Sequence, residues 1–382
     1  MADSINEVRR GNVVIAGIGR TAFGKLPGRS SLSLNVEACR AALQDAGIEK
    51  DLVDAVFVKT PSSQREFMYG QKLSEALGLR PKMSCATDQG GAANVTNIML
   101  AAMAIANGQC DVALVCYADN PRSGSRAVYA RPRGDDGAYG WFSTAAGYAM
   151  IHRRFAIDQA LPDEAFGSVA IAARRHGAAN PHAQLRKPLT MDGYLASPML
   201  VEPLRRDDAC LVSDGAAAIV LTSARRASTL DVDKPVPILG FGEGQTSWEP
   251  YLRPTITHTE VAVSAQTAFA MAGVTPADID VVQLYDCFTV TVLMTLESYG
   301  FCKPGMVADF VRDGALEIDG ALPFNTSGGL LSETGMPGLQ LVLEAVSQLR
   351  GTANLQVPDA KLAVVSNQGG TMHTHGTLIL GN

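Results

Sequence analysis

Paired cysteines of the kind that bind zinc or form a disulfide framework are missing from this 382-residue sequence. Its seven cysteines are scattered, odd in number and never spaced as Cys-x-x-Cys, which disfavours both arrangements. The four histidines that precede the C-terminal loop show no metal-ligand spacing either. We therefore expect a reducing compartment, no metal and no bound cofactor.

An excess of basic residues and a long apolar run are also missing. The 32 Lys and Arg face 38 Asp and Glu, for a net charge of -6, so neither nucleic acid nor an anionic membrane surface is an expected partner. No apolar run reaches the roughly 18 residues that a membrane helix needs. The first residues lack a secretory signal pattern, and the last five, LILGN, lack a peroxisomal tripeptide. We expect a cytoplasmic protein, whose 47% hydrophobic residues can form a large core.

One long internal repeat sets the expected architecture. Each copy has an apolar strand that runs into a glycine turn, then a helix that ends at an Ala-Gly pair, then a β-branched strand. Strands and helices that alternate in this way and occur twice predict two α/β halves packed side by side. The matching segments are residues 12–21 with 235–245, 36–57 with 262–283, and 111–116 with 361–366.

The repeat divides the chain into an N-terminal half, residues 1–233, and a C-terminal half, residues 234–382. The stretch 231–237, DVDKPVP, is the most linker-like connection between them. The first half also carries a long insertion at about residues 119–214. Long loops without regular structure are usually functional, so we expect the insertion to cover a site or a subunit contact.

Residues 281–289, VVQLYDCFT, combine an apolar run with polar and reactive side chains at its end. The run predicts a buried strand, and chemistry in α/β proteins collects where such strands end. Tyr285, Asp286 and Cys287 lie at that end. The residues alone leave two interpretations open. The first is a functional site; the second is a junction in which Asp286 caps the next helix and Cys287 fills an apolar space.

Four segments stand out: a GG pair before an alanine-rich helix, CLVSDGAAAIVLTS at 210–223, NTSGGLLSETG at 325–335 and SNQGGTMHTH at 366–375. Together they resemble the corresponding segments of the thiolase superfamily. More narrowly, NPHAQ, DGAAA, DCFT and QLRG occur in the order typical of the branch that contains sterol-carrier-protein thiolases, lipid-transfer proteins and steroid side-chain aldolases. The resemblance covers essentially the whole chain. It implies a five-layer αβαβα fold from two duplicated halves, a homodimer, and coenzyme A thioesters as substrates.

The residues that perform acyl transfer in thiolases are replaced here. The resemblance places the nucleophilic cysteine at Ala92, the activating histidine at Gly335 and the second cysteine at Ser366. Without these groups, acyl transfer through an acyl-enzyme is not expected. The aldolases of this branch have a second tyrosine at the position of Gly335. The small residue there predicts room for a bulky ring substrate, or for a neighbouring loop.

A retro-aldol cleavage needs a base, donors for the thioester enolate and an acid, but no covalent nucleophile. The steroid side-chain aldolases likewise lack the thiolase cysteines and have tyrosine before DCF, as Tyr285 is here. We therefore expect Tyr285 to be the acid/base group in the retro-aldol cleavage of a β-hydroxyacyl-CoA. Two alternatives stay open: an acyltransferase that uses Cys287, and a non-catalytic subunit that binds acyl-CoA or lipid. Many members of the branch work with a small OB-fold, zinc-ribbon protein, so we expect such a partner.

His375 is the further catalytic candidate. The resemblance brings its glycine-rich loop to the sheet edge that carries DCFT, and we expect only one of His373 and His375 to point into the site. Glycines in this loop and in the SGG segment can let backbone amides approach a thioester, or they can serve tight packing between the halves. The predicted substrate-binding residues are Gly328, Gly329, Gly369, Gly370, Ala92, Gly335 and Ser366.

Overall fold

The computed structural model of the chain describes residues 11–127, 134–335 and 338–382. Within them, nine strands form one mixed sheet and two short strands form a separate hairpin, β5-β6. The strands are β1 (Val13–Arg20), β2 (Ala55–Lys59), β3 (Met83–Thr87), β4 (Val112–Asp119), β5 (Met199–Val201), β6 (Leu204–Arg205), β7 (Gly215–Ser223), β8 (Val236–Gln245), β9 (Val281–Gln283), β10 (Leu362–Gly369) and β11 (Thr374–Gly381).

The helices of the described residues cover both faces of this sheet and fill the long insertion. No helix in this part of the chain is both long enough and apolar enough to cross a membrane. The helices are α1 (Ser31–Ala46), α2 (Tyr69–Leu77), α3 (Ala93–Ala106), α4 (Thr144–Gln159), α5 (Asp163–Ala179), α6 (Met191–Leu195), α7 (Ala224–Thr229), α8 (Val261–Ala272), α9 (Thr289–Tyr299), α10 (Val307–Arg312), α11 (Gly329–Ser332) and α12 (Leu339–Arg350).

The strand order of the large sheet shows the internal repeat directly. The order is β3-β2-β4-β7-β1-β8-β11-β10-β9, so β2-β4-β7-β1 of the first half is mirrored by β9-β10-β11-β8 of the second. The two halves join where β1 pairs antiparallel with β8, with Ile15 opposite Val236. The predicted duplication is confirmed, and each pair of matching segments occupies equivalent strands and helices.

Glycines on the first strand of each half bring a helix close to the sheet. A Cβ atom at Gly19 of β1 would lie 2.3 Å from the backbone oxygen of Ala38 in α1, and one at Gly242 of β8 would lie 2.2 Å from that of Ser264 in α8. Both helices end as predicted, at left-handed glycines: Gly47 with φ 64° and Gly273 with φ 71°. The glycine-rich ends of these two strands therefore pack against an outer helix.

Helices α3 and α12 form the middle of the molecule. Each of them contacts strands of both halves, while α1 and α8 cover the outer faces. Helix α3 buries Val95, Ile98 and Ala101 completely, as expected of a helix between two sheets. The predicted five-layer α/β fold is confirmed.

The insertion differs from the long irregular loop that the sequence suggested. Much of the insertion is helical, in α4, α5 and α6, and α5 packs against α9, α10 and α11. The hydrophobic spacing of α5 buries residues such as Phe166, Val169 and Ala173 against the core. The insertion thus covers the elements around residues 285–335. The boundary at residue 233 stays a prediction.

Candidate functional site

Strand β9 is shorter than the sequence predicted. It ends at Gln283, opposite Val365 of β10, and does not extend through residues 284–289. At Leu284 the side chain of Asn325 replaces the strand pairing. It accepts a hydrogen bond from the Leu284 backbone N–H (2.7 Å) and donates one to the Leu284 backbone oxygen (2.8 Å). The chain then turns into α9, which begins at Thr289. Tyr285, Asp286 and Cys287 therefore lie in the link between the strand and the helix.

Tyr285 lies at the N-terminus of helix α3. Its phenol rests against Gly91, so closely that a Cβ atom on Gly91 would be 2.3 Å from the Tyr285 Oη. The residue is 7% exposed. Ala92, the N-cap of α3, lies in the same turn and makes no side-chain cap hydrogen bond. The N-terminal end of this 14-residue helix favours negative charge, because its first N–H groups and its dipole point there.

Ser366 positions the backbone of Tyr285. The Ser366 hydroxyl, at the place predicted for the second thiolase cysteine, accepts a hydrogen bond of 2.9 Å from the Tyr285 N–H. Ser366 is 1% exposed. Its role in this structure is therefore to hold the tyrosine, and three of the predicted residues, Tyr285, Ala92 and Ser366, are brought into one cluster.

Cys287 also joins this cluster, through two residues that the sequence analysis did not identify. The Gln368 Nε2 donates to the Cys287 Sγ at 3.3 Å, and the Tyr148 phenol from the insertion lies within hydrogen-bonding reach of the same sulfur. The Tyr148 Oη donates to the backbone oxygen of Gly370 at 2.9 Å. Burial raises the pKa of Cys287 to about 11, against the effect of these donors. The thiol is therefore protonated at neutral pH.

The predicted glycine pair at residues 369 and 370 lies against the turn that precedes α3. A Cβ atom on Gly369 would be 2.0 Å from the backbone oxygen of Gln89, and one on Gly90 would be 2.7 Å from the Gly369 Cα. Gly370 has φ +63°, a conformation that favours glycine. These contacts bring the C-terminal loop beside Tyr285, so the pair serves packing in this structure.

His375 is buried in a polar network beside Gln368, its cross-strand partner. Its Nε2 lies 2.8 Å from the Tyr299 Oη, which is also 2.6 Å from the Thr377 Oγ1. The His375 Nδ1 has no hydrogen-bond partner among the described residues. Burial lowers the pKa of His375 to about 3, so the ring is neutral at physiological pH and suits a structural or hydrogen-bonding role.

His373 lies in a different environment from His375, because it belongs to the turn that precedes β11 at Thr374. Its Nδ1 accepts from the backbone N–H of Thr371 at 2.7 Å, and its Nε2 lies 2.8 Å from the backbone oxygen of Trp248. The first contact requires a lone pair on Nδ1, so the proton belongs on Nε2. Both nitrogens are used in holding the loop.

Asp286 caps a helix, but a different one from the helix that the sequence suggested. Its carboxylate accepts from the backbone N–H groups of Leu330 (2.8 Å) and Leu331 (3.1 Å) in α11, and not from the adjacent α9. Gly329 makes this approach possible, because a Cβ atom there would lie 2.4 Å from the Asp286 Oδ2. Burial raises the pKa of Asp286 to about 7, partly offset by these backbone donors. Gly328 has φ +101° and packs against Gly177. The predicted substrate-binding glycines Gly328 and Gly329 therefore both contact protein atoms in this structure.

The space beside Gly335 is filled by a neighbouring segment. An ideal Cβ atom on Gly335 would lie 1.3 Å from the backbone oxygen of Leu211, and the Gly335 N–H donates to the Ser213 Oγ at 3.1 Å. The expectation of spare room for a ring substrate is therefore wrong at this position. Of the two alternatives, the neighbouring loop occupies the place.

An open cleft of about 560 Å³ lies elsewhere, between α1 and α12. Its lining includes Arg20, Glu333, Gln340 and Glu344, and none of the residues of the Tyr285 cluster. The cleft contains an ion pair between the half-buried Arg20 and the buried Glu333, at 3.1 Å. The cleft therefore does not include the predicted catalytic residues. We take the Tyr285 cluster as the candidate active site, because it contains both Tyr285 and Cys287.

The residues missed by sequence reasoning, Tyr148, Gln368 and Tyr299, had weak sequence signals. Tyr148 lies in a helix of the insertion, 137 positions before Tyr285 in the numbering, and nothing in its local pattern distinguishes it from a core tyrosine. Gln368 lies within the SNQGG segment. Its polar side chain in that glycine-rich loop was the only local feature that could have indicated a role in the site.

Comparison with known proteins agrees with the fold. The family model for the thiolase N-terminal domain matches residues 13–225, and the model for a thiolase C-terminal domain-like unit matches residues 242–382. A 17-hydroxy-3-oxo-4-pregnene-20-carboxyl-CoA lyase of Mycobacterium tuberculosis is 37% identical, over 97% of this chain and 99% of its own. A steroid side-chain-cleaving aldolase of Thermomonospora curvata is 38% identical, over 97% and 98%.

Solved structures give the same relationship. A structure described as the Ltp2-ChsH2(DUF35) aldolase matches with a TM-score of 0.88 and 36% identity, and covers 97% of this chain and 98% of its own. Human mitochondrial 3-ketoacyl-CoA thiolase shares the fold, with a TM-score of 0.74 at 17% identity. The predicted resemblance is confirmed: the chain belongs to the thiolase family, in the branch that contains the sterol carrier protein thiolases and the steroid side-chain aldolases.

Proposed function

We propose that this protein is a retro-aldolase that cleaves the carbon-carbon bond of a β-hydroxyacyl-CoA without a covalent intermediate. The observation that carries the proposal is the Tyr285 phenol against Gly91, at the N-terminus of α3. The N-cap of that helix is Ala92, which has no nucleophilic side chain. The site thus offers an acid/base hydroxyl where a thiolase would hold its nucleophile. Relatives that share 37% and 38% identity are named as a lyase and an aldolase.

The reaction assigns one role to Tyr285. As phenolate, it takes the proton of the β-hydroxyl; the carbon-oxygen double bond forms as the bond between the α and β carbons breaks, and the bonding pair becomes the thioester enolate. The N-terminal turn of α3 favours the phenolate through its dipole. An acid then protonates the α carbon, and the products are a ketone and a shorter acyl-CoA.

The names of the two relatives support a more specific substrate class. Both names refer to steroids, and one specifies a 17-hydroxy steroid with a 20-carboxyl-CoA side chain. We infer that this chain takes a polycyclic substrate whose β-hydroxyl is on a ring carbon. Coenzyme A then enters as part of the substrate. A cytoplasmic location remains a prediction.

A small partner protein is part of the proposal. The similar aldolase structure is described as a complex with a DUF35 protein, and the sequence analysis predicted a small OB-fold, zinc-ribbon partner. We propose that the present chain forms a homodimer that binds such a partner. Light scattering on the purified complex measures the number of chains in the oligomer and the number of bound partners. A chain that stays monomeric and does not bind the partner would contradict this proposal.

The alternative acyltransferase mechanism lacks support at its key residue. A nucleophilic cysteine acts as a thiolate, and thiolate formation is favoured in electropositive, partly exposed surroundings. Cys287 is 8% exposed and has a pKa raised to about 11 by burial. The non-catalytic binding subunit stays open as an outcome of the assay below.

The test is the cleavage of a 17-hydroxy steroid 20-carboxyl-CoA thioester by the purified chain, alone and with its co-purified partner. The ring ketone and the short acyl-CoA are followed by mass spectrometry. We expect Tyr285→Phe to lower kcat at least ~100-fold, the low end for a lost acid/base group. Intact-protein mass spectrometry is expected to show no acyl adduct.

Tyr69→Phe is the matched control. Tyr69 is also buried, 1% exposed, and its hydroxyl contacts only Asn35 among the described side chains, at 3.0 Å. We expect this variant to keep wild-type kcat. An acyl adduct that disappears in Cys287→Ala would overturn the proposal in favour of acyl transfer. Tight thioester binding without cleavage, with and without partner, would favour the binding subunit.

A further inference from the structure

The proposed retro-aldol reaction needs an acid that protonates the α carbon, and Tyr285 has already been assigned to the hydroxyl. Any second group must lie in the same cluster and carry a proton at neutral pH. The expected second tyrosine is absent, because residue 335 is a glycine whose side-chain space is filled by Leu211. The acid must therefore come from another element.

Cys287 is two residues from Tyr285 in the link between β9 and α9. Its sulfur accepts a hydrogen bond from the Gln368 amide at 3.3 Å. The Tyr148 and Thr291 hydroxyls also lie within hydrogen-bonding reach of the sulfur, although each donates its proton to a backbone oxygen in this structure. Donors directed at a sulfur stabilise the thiolate that remains after the proton has left. Burial has the opposite and larger effect and raises the pKa to about 11. The thiol therefore holds its proton at rest and has hydrogen-bond donors for the anion formed on transfer.

Gln368 provides a second observation at this place. Its amide is 1% exposed, and while Nε2 binds the sulfur, Oε1 has no partner in the part of the chain that the structure describes. A buried acceptor without a donor is unfavourable, and such atoms are normally satisfied by a bound molecule or water. The unpaired oxygen therefore indicates that a ligand donor or a water molecule comes next to the thiol.

Tyr148 keeps this arrangement in place. Its ring stacks on Phe288 with centroids 4.4 Å apart, and its hydroxyl donates to the backbone oxygen of Gly370. The residue is 1% exposed. Through these contacts, Tyr148 connects helix α4 of the insertion with the link between β9 and α9 and with the C-terminal loop. Tyr148 thus acts as a positioning residue for the Cys287 thiol.

On the basis of the proposed function, we propose that Cys287 is the catalytic proton donor that protonates the α carbon of the thioester enolate. The carbon gains the proton of the S–H bond, the enolate pair forms the new carbon-hydrogen bond, and the sulfur keeps its own pair as a thiolate. Tyr285, which gained the hydroxyl proton in the cleavage step, and the Cys287 thiolate then exchange that proton directly or through solvent. The cycle closes without an oxidant or a co-reactant.

The experiment uses the reverse half-reaction, which needs no steroid. The holoenzyme is incubated with propanoyl-CoA in D₂O between pH 7 and 9, and exchange at the α carbon is followed by NMR or mass spectrometry. We expect wild type to exchange at a rate that rises with pH, because the thiolate is the base in this direction. Cys287→Ala should lower the exchange rate at least ~100-fold, whereas Tyr285→Phe should abolish steroid cleavage and leave exchange within about threefold of wild type.

Three further variants separate chemistry from packing. Cys110→Ala removes another buried thiol, 2% exposed and outside the site, and should leave exchange unchanged. Cys287→Ser keeps a hydrogen-bonding group but is a far weaker acid, and should not restore exchange. Gln368→Leu removes one donor to the sulfur and should slow exchange about three- to tenfold and move the rise of the rate to higher pH.

The outcomes distinguish this inference from the function on which it rests. If wild type cleaves the steroid thioester and Cys287→Ala still exchanges like wild type, Cys287 is not the proton donor. If Cys287→Ser restores full exchange, an acidic thiol is not required and the inference also fails. If wild type exchanges the α proton through Cys287 but never cleaves a β-hydroxyacyl-CoA, the retro-aldol function is wrong and the assignment of the thiol stands.

Discussion

At the scale of single residues, the position of Gly335 shows how a family site has been rebuilt. The carbonyl group of Leu211 occupies the space that a side chain at 335 would need. The second tyrosine of the related aldolases therefore cannot be restored by exchanging one residue, because the backbone at 211 would have to move as well.

We expect Gly335→Ala to lower the free energy of unfolding by at least ~2 kcal/mol, because overpacking against backbone is not relieved by a rotamer change. The measurement is urea unfolding followed by circular dichroism. Gly193→Ala is the control, since Gly193 is exposed in α6 and its nearest neighbour would be a side-chain atom at 3.2 Å. Equal stability of the two variants would show that the Leu211 segment moves away freely.

The neutral state of the buried groups at the site has one physical origin. Burial penalises charge, so it raises the pKa of Cys287 and lowers the pKa of His375. Both side chains are therefore uncharged at pH 7. We expect the pH profile of cleavage to show no ionisation of His375 near its ordinary value of about 6.5.

At the scale of secondary-structure elements, the two halves use the same device to attach their outer helices. Glycines of β1 and β8 lie under α1 and α8, where the helix backbone approaches the strand directly. The helix N–H and carbonyl groups in contact are already used within the helix, so the close approach depends on packing alone. Any added side chain must push the helix away from the sheet.

We expect Gly19→Ala and Gly242→Ala each to destabilise the fold by at least ~2 kcal/mol. In the first variant the new Cβ would lie 2.3 Å from the Ala38 oxygen, and in the second 2.2 Å from the Ser264 oxygen. Thermal unfolding of both variants beside Gly193→Ala checks the expectation. If only one of the two variants is destabilised, the two helix-strand pairs are equivalent in structure but not in their contribution to stability.

Element boundaries were predictable where a local signal exists. The Ala-Gly pairs gave the ends of α1 and α8, because a left-handed residue is needed there and glycine adopts it without strain. The end of β9 was not predictable from the apolar run, since pairing stops at Gln283 through contacts with Asn325, 41 or more positions away. The helical content of the insertion was missed because its length suggested a loop.

At the scale of the whole molecule, an ion pair in the open cleft joins the two halves. Arg20 belongs to the first half and Glu333 to the second, and the Glu333 carboxylate also accepts from Asn180 and Ser327. Burial, followed by the nearby Glu344, raises the pKa of Glu333 to about 7 despite Arg20. The folded protein therefore binds this proton more tightly than the unfolded chain does.

The sign of the pH dependence follows from that difference. Because the folded pKa is higher than the unfolded value, the contribution of Glu333 to stability is present below about pH 4.5 and is lost as pH rises toward 7. We expect Glu333→Gln to flatten the loss of stability between pH 5 and pH 8 by up to about 3 kcal/mol. Urea unfolding at both pH values measures it.

Glu37→Gln is the control for this pH measurement, because Glu37 is 46% exposed in its pair with Arg29 and surface pairs contribute little. An unchanged pH slope in Glu333→Gln would show that another of the buried carboxylates carries the effect. Glu344, whose pKa is also raised by burial, would then be the next substitution.

The sequence by itself determined the duplicated α/β architecture and the family. Local sequence patterns indicate these properties, namely strand and helix periodicity, glycine caps and short residue strings that occur in a fixed order. Only the tertiary structure decided that Tyr148 and Gln368 surround Cys287, that Leu211 fills the space at Gly335 and that Asp286 caps α11. Each of these contacts joins segments 44 or more positions apart. Such contacts follow from how the two halves and the insertion pack together, because the local pattern of either partner carries no record of the other.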